Sequence, residues 1–311
     1  MNVFVTGGHG FLGRHLIPKL AARGWTVVSP TSHDCDLTQA TSLARYNSIE
    51  FCKIFHLAAW TQAGDFCVKY PGDQWIINQQ INTNVLTWWK EQQSTAKMIS
   101  IGTSCSYPEE GKLTEDRYLE GFPTPSLFTY AMTKRMLYQG MRAIGQQYNL
   151  KWLCVVPSTL YGPGYVIDGK QLHFIYDLIR KISDASLTGI RPVLWGDGFQ
   201  RRELIHVGDF VRDLLAIDEV SSNDIYNVGA GIDYSIREFA EIISSATQFD
   251  PKLIKYDSSA YVGAKTKKLA NEKLIKKLGK VHREDLKATL EKLVFEYRIR
   301  QKGIVHHVSS Q

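Results

Sequence analysis

Cysteine is scarce in this 311-residue chain, with five residues in all and no C-x-x-C pair among them. An odd number without such a pair argues against a disulfide framework and against a zinc site, so no metal is expected, and it fits a reducing, cytoplasmic setting. No apolar run approaches the roughly 18 residues that a membrane span needs. Met1–Thr6 has no basic segment ahead of an apolar one, so no secretory signal is expected. Dense basic clusters are missing too. The formal net charge is +6, with Lys and Arg scattered along the chain, and a nucleic-acid binder would show a tighter patch. Repeats and low-complexity tracts are also missing. What remains is a chain whose 44% hydrophobic content fills a sizeable core, long enough for one large lobe and a smaller appended one.

The clearest positive signal is the opening stretch, MNVFVTGGHGFLGRH. Asn2–Thr6 is an apolar run of strand type. Gly7, Gly10 and Gly13 follow at the spacing G-x-x-G-x-x-G, and an apolar helical pattern begins at Phe11 and Leu12 and continues through Leu16 and Leu20. Glycine removes the Cβ where a backbone must take positive φ or come close to a ligand. A helix N-terminus behind the turn offers unpaired N–H groups and partial positive charge to a pyrophosphate. Strand, glycine turn and helix in this order predict a dinucleotide site.

Strands and helices then alternate. Trp25–Ser29, Lys53–Leu57, Lys97–Gly102 and Lys151–Val156 read as strands, while Asp73–Gln92 and Ser126–Tyr148 have helical spacing. This order predicts an α/β fold: a Rossmann-type doubly wound parallel sheet with right-handed crossovers. Beyond Pro157 the pattern loosens. Helices are expected over Gln171–Lys181, Asp209–Val220, Ser235–Ala246, Asn271–Leu278 and Arg283–Arg300, with short extended pieces between them. We assign 1–160, with part of 205–230, to the dinucleotide-binding domain. Residues 161–204 and 231–300 form a smaller C-terminal α/β substrate lobe, and 301–311 a loose tail.

Ligands of open parallel sheets sit off the C-terminal ends of the strands. The fourth strand ends in TSCSYP, which crowds Thr103 and Cys105 at that edge. Tyr130 and Lys134 lie four apart and share one helix face. An ammonium near a phenol favours the phenolate, so Tyr130 is expected to have a lowered pKa and to exchange a proton near neutrality. Thr103 can bond the same substrate oxygen, and Lys134 can bond the nicotinamide ribose. After the second strand the stretch SPTSHDCDL has no acid before Asp34. An acid at the strand end would bond a ribose 2′-hydroxyl, and its absence leans toward NADP, with NAD kept open.

TGGHGFLG, HLAA, TSCSYP, the YAMTK run from Tyr130 to Lys134, STLYGP and WGDGFQRRELIHVGD together resemble the extended short-chain dehydrogenase/reductase family, in its nucleotide-sugar epimerase/dehydratase group. The resemblance covers essentially all of residues 1–300. Within that group the pattern looks like the GDP-L-fucose and GDP-L-colitose synthase branch, on the strength of Cys105, PSTLYGP, His173 and WGDGFQRRE. It implies an NAD(P)-dependent epimerase/reductase of a nucleotide-activated, GDP-linked 4-keto-6-deoxy sugar. In it Thr103, Tyr130 and Lys134 would form the redox triad. Cys105 would be the base beside the sugar ketone and His173 the acid on the other face. The cofactor would lie on Gly7, His9, Gly10, Phe11, Leu12 and Gly13, on Ser32 and Asp36, on Leu57, Ala58 and Ala59, on Tyr130 and Lys134, and on Pro157 and Leu160. Substrate contacts would come from Arg202, with Arg180, Trp195 and Lys267 or Lys268 behind it. Family members pair as homodimers through two helices, matched here by Asp73–Gln92 and Ser126–Tyr148.

Three departures stand against this pattern. His9 and Ser32 occupy the positions of two arginines that hold the NADP 2′-phosphate in the fucose synthases. Thr159 stands for a substrate-contacting asparagine. Trp60–Cys67, WTQAGDFC, replaces a glycine-rich segment. The first bears on the preference for NADP, and the other two imply an altered sugar, such as a 6-deoxyheptose or a dideoxyhexose. Pocket shape would depend on loops Trp60–Tyr70 and Gly162–Lys170. Two rival readings remain: an enzyme that performs one half-reaction alone, as a 4-reductase or an epimerase, and a non-catalytic dinucleotide-binding protein.

Overall fold

Along β1 (Asn2–Thr6) the residues Val3 and Val5 join one hydrophobic cluster and Phe4 another, and all three are fully buried. A strand buried on both faces belongs at the centre of a sheet covered by helices on both sides. The computed structural model describes residues 1–165, 172–260 and 264–308. After β1 come α1 (Phe11–Ala21), β2 (Thr26–Val28), β3 (Lys53–His56), α2 (Phe66–Lys69), α3 (Pro71–Gln92), β4 (Lys97–Ile101), α4 (Phe128–Tyr148) and β5 (Trp152–Pro157). The second half holds β6 (Thr159–Tyr161), α5 (Phe174–Thr188), β7 (Val193–Trp195), β8 (Arg201–Arg202), β9 (Leu204–His206), α6 (Val207–Val220), β10 (Asp224–Val228), β11 (Tyr234–Ser235), α7 (Ile236–Thr247), β12 (Lys255–Asp257), β13 (Thr266–Lys267), α8 (Glu272–Leu278) and α9 (Leu286–Val308).

Six strands make one parallel sheet in the order β10-β5-β4-β3-β1-β2. This is the Rossmann-type arrangement that the alternation predicts. On one face Phe4, Ile54 and Met98 pack against Val85 and Trp89 of α3 and Leu137 and Met141 of α4. On the other, Val5, Phe55, Ile99 and Val155 pack against Leu16 and Leu20 of α1 and Phe210 and Leu214 of α6. A third cluster has its own centre in Ile179 and Ile182 of α5, Phe239 and Ile243 of α7, and Leu290 and Val294 of α9. Small mixed sheets border it. β8 pairs antiparallel with β11 and parallel with β13, which sets Lys267 directly beside Arg202.

Chain order reverses between β1 and β3, whose C-terminal ends lie side by side, and an open sheet binds its ligand at such a reversal. Gly7 closes β1 there with φ +67, and a Cβ on it would stand 2.8 Å from the backbone nitrogen of Ala58, just past β3. No flexible side chain yields at that contact. Gly7→Ala is therefore expected to lower unfolding free energy by about 1–3 kcal/mol, checked by urea denaturation. An unchanged midpoint would contradict this account of the turn.

Two boundaries differ from expectation by more than three residues. The helix placed at Gln171–Lys181 is α5, Phe174–Thr188, with His173 at its N-cap, and Gln171 lies outside the described residues. It extends further because Ile182 and Ala185 continue the buried stripe, and it stops at Gly189 in a left-handed conformation, φ +73. The loose tail assigned to 301–311 is also corrected through Val308: α9 continues past Arg300. A helix seated on Leu290 and Val294 propagates by one hydrogen bond per added residue and needs no apolar pattern to do so. Residues 309–311 lie outside the described part. Among the described residues no helix is long and apolar enough to cross a membrane, and no group of His, Cys, Asp and Glu could hold a metal ion.

Candidate active site

The glycine turn delivers what a pyrophosphate needs. Gly10 is the N-cap of α1 and provides no side-chain cap, so the first N–H groups of the helix, at Phe11 and Leu12, have no side-chain partner there. His9 and Gly10 are exposed beside them. Thr6 ties the floor of this crevice together. Its hydroxyl accepts from the backbone N–H of Leu57 and of Ala58 at 3.1 Å each, and it lies 2.8 Å from Nδ1 of His56. His56 is buried against Asn82, and burial, then the charge of Lys134, holds it down to about 4. It is a neutral structural group. Leu57, Ala58 and Ala59 run half-buried from there, and Pro157 at the end of β5 and Leu160 in β6 are half-buried as well.

At the far end of the crevice Ser29 donates to the carbonyl of Val5 at 3.0 Å. Asp34, the first acid after β2, accepts from Thr31 Oγ1 at 2.6 Å, and that bond first of all holds its carboxyl low. Ser32 and His33 are exposed, and Asp36 caps its own turn by accepting from Thr38. The carboxylate that could read a 2′-hydroxyl is committed to a local turn. These residues fit a dinucleotide, and the fit is compatible with a 2′-phosphate.

The reactive side chains gather at the end of β4. Thr103 caps a short 3-10 turn, Ser104–Ser106, and its Oγ1 accepts from the backbone N–H of Cys105 at 3.2 Å. The Tyr118 hydroxyl accepts from the backbone N–H of Thr103 at 3.3 Å. Thr103 also shares hydrogen bonds with the Tyr130 phenol and the Cys105 thiol. From the other lobe Lys267 reaches in and donates from Nζ to Cys105 Sγ at 3.2 Å. Burial pushes the Cys105 thiol up. The Lys267 ammonium, the bonds from Thr103 and Lys267, and the nearby Arg202 outweigh it and leave the thiol below its usual range.

His173 stands at the entrance to α5. The residue is exposed. Desolvation first, then the charge of Lys267, hold it below the usual histidine range. One ammonium therefore acts on both groups of the predicted acid–base pair. It favours a thiolate at Cys105, which suits a base, and a neutral imidazole at His173, which works against an acid.

Tyr130 departs from expectation. Its phenol is pushed up, not down: burial leads, the Cys105 and Cys67 thiols add to it, and the Thr103 bond opposes them. The charge of Lys134 is felt instead by His56 and Cys154. Lys134 is itself buried, and desolvation lowers it to about 8. The phenol is consequently a proton donor across the neutral range.

Two other assigned residues, Arg180 and Trp195, lie apart. Arg180 pairs with Asp177 at 2.6 Å and faces Asp184 and Tyr297. Trp195 is exposed at the end of β7, with Lys181 over its ring. Arg202 donates to the carbonyls of Arg201 and Ala264 at 2.8 Å each. Of the loop 162–170, only Gly162–Tyr165 falls within the described residues. Cys67 of α2 is buried close enough to Tyr130 and Cys105 to interact with both. Its place in the departing segment Trp60–Cys67 was the available signal. Glu203 was missed as well, although it sits inside the quoted WGDGFQRRE motif.

The glycine crevice at a sheet reversal, with Tyr130 and Lys134 one helical turn apart beside it, defines a dinucleotide-binding protein of the short-chain dehydrogenase type. The chain belongs to the NAD dependent epimerase/dehydratase family, whose model matches residues 3–229. It is similar to a probable GDP-L-fucose synthase of Oryza sativa subsp. japonica, 30% identical over 88% of this chain and 85% of the relative. It is also similar to the GDP-L-colitose synthase of Yersinia pseudotuberculosis, 27% identical over 97% of this chain and 99% of the relative. Among solved structures, a GDP-L-fucose synthetase from Naegleria fowleri superposes with a TM-score of 0.85 at 23% identity, over 97% of this chain and 94% of that one.

Proposed function

We propose that this chain is an NADP-dependent epimerase/reductase acting on a GDP-linked 4-keto-6-deoxy sugar or a close variant of one. The observation that carries the reading is the 3.2 Å contact between Lys267 and Cys105, two residues beyond Thr103. A plain reductase needs Tyr130 and has no use for a thiol held below its usual range two residues along from Thr103. An epimerase does, because a C4 ketone acidifies the hydrogens at C3 and C5. Cys105 Sγ takes such a proton, and His173 returns one on the opposite face. A nicotinamide held on the glycine crevice supplies a hydride to C4 when it is bound. Tyr130 gives its proton to the C4 oxygen while Thr103 fixes that oxygen in place.

The names of the similar synthases support GDP as the nucleotide. Arg202 and Lys267, side by side, offer two cations to a diphosphate. The five free cysteines support a cytoplasmic setting. Trp75 and Ile76 on α3 and Met136 on α4, all exposed apolar residues on two helices that pack together, support a homodimer formed through them.

The test is a single incubation in deuterated buffer with NADPH and a GDP-4-keto-6-deoxy sugar. NADPH oxidation together with deuterium at C3 or C5 of the product is expected. Oxidation without deuterium would leave a 4-reductase, a reading that the lowered His173 favours. Deuterium without oxidation would leave an epimerase. Neither would leave a dinucleotide-binding protein without this chemistry.

A further inference from the structure

Glu203 is 2% exposed, lies between β8 and β9, and does not touch the reacting groups. Its carboxylate joins two distant backbones. Oε1 accepts from the N–H of Gly231 at 2.7 Å, in the loop after β10, and Oε2 from the N–H of Leu269 at 2.8 Å. Leu269 is two residues beyond Lys267. On the near side, the backbone N–H of Glu203 donates to the carbonyl of Lys267 itself at 3.2 Å. One residue thus grips the segment that carries Lys267 at two points. The space for the grip is made by Gly229: a Cβ there would stand 2.4 Å from Glu203 Oε1. Burial pushes this carboxyl up to about 7, against the bonds from Leu269 and Gly231 and the charge of Lys268, with Asp233 adding to the rise. A buried carboxylate is an expensive way to fasten a loop. An aliphatic side chain would fill the space but leave the N–H groups of Gly231 and Leu269 without an acceptor.

We propose that Glu203 is the positioning residue of the candidate site, fixing β13 so that Lys267 stays in contact with the Cys105 sulfur. The proposal rests on reading Cys105 as a base. The thiol can nevertheless be titrated with no substrate present, so its test and the test of that reading fail separately. The sign of the effect distinguishes positioning from plain electrostatics. Removing a carboxylate near a thiolate removes repulsion and would lower the thiol's midpoint. Loosening Lys267 would raise it.

The experiment follows alkylation of Cys105 by iodoacetamide against pH in the full-length chain, with modification read on the Cys105 peptide because the other four thiols also react. Lys267→Met is expected to raise the midpoint by about one pH unit, a roughly tenfold loss of thiolate at neutrality. Glu203→Gln is expected to raise it in the same direction, and to add nothing further in the Lys267→Met background. Gly229→Ala keeps Glu203 but crowds its carboxylate out of place, and is expected to reproduce the rise, which covers the case in which Glu203→Gln does not fold. A midpoint unmoved or lowered in both Glu203→Gln and Gly229→Ala, with Lys267→Met raising it, would overturn the proposal. So would a Glu203→Gln shift that persists at full size without Lys267. A merely structural role would lower the melting temperature and leave the midpoint where it was.

Discussion

Cys105→Ser is expected to abolish deuterium exchange at C3 and C5 of the keto sugar, a loss of about 10²–10⁴ in rate, while reduction of a ketone supplied with its stereocentres already inverted continues. The physical reason lies in what Lys267 can and cannot do. Its ammonium, donating to Sγ at 3.2 Å with Arg202 close by, brings the thiol below its usual range despite burial. A serine hydroxyl ionises far less readily than a thiol, and the same two cations cannot bring it into the neutral range. The backbone N–H of residue 105 would still donate to Thr103, so the turn that aims Thr103 at Tyr130 is preserved. Exchange is read by mass and proton signals, and reduction by NADPH absorbance. Exchange that survives in Cys105→Ser would remove Cys105 as the base, and loss of both activities would mean that the substitution disturbs the Thr103 turn.

Much of this site was legible in the sequence because its parts are local. The glycine spacing after an apolar strand, the crowding of Thr103 and Cys105 at a strand end, and the four-residue interval from Tyr130 to Lys134 are each written within about fifteen residues. The meeting of Lys267 with Cys105 is not local. It spans 162 residues and depends on β13 pairing in register with β8, two strands of two residues each, too short to have a period. The direction of the Tyr130 shift was misread for a related reason. Spacing on a helix shows that two side chains share a face, but burial by the rest of the fold decides which charge either one feels. Lys134 turned out to act on His56 and Cys154, which come from β3 and β5. Glu203 stayed hidden because a charge next to two arginines reads as an ordinary ion-pair partner, and only its two backbone donors, from Gly231 and Leu269, reveal it as buried.

Tyr130→Phe is expected to cut NADPH-dependent reduction by about 10²–10⁴ and to leave exchange at C3 and C5 intact. Phe keeps the ring and its packing and removes only the hydroxyl that meets Thr103. The pH dependence of the wild type gives a second handle. The phenol is pushed up, so it carries its proton throughout the working range and sets no limb of its own there. Lys134, lowered to about 8, is charged below that value and neutral above it. The Lys134 ammonium would hold the nicotinamide ribose beside the phenol, a contact that weakens when the cation is lost. Reduction is therefore expected to be level up to about pH 8 and to fall above it, as the ammonium is lost. In Lys134→Met the rate should be low at every pH and the fall should vanish. A wild-type rate that instead rises through pH 8 would mean that the group ionising there must lose its proton to act, and Lys134 would not be that group. Unchanged reduction in Tyr130→Phe would take the role of proton donor away from Tyr130 altogether.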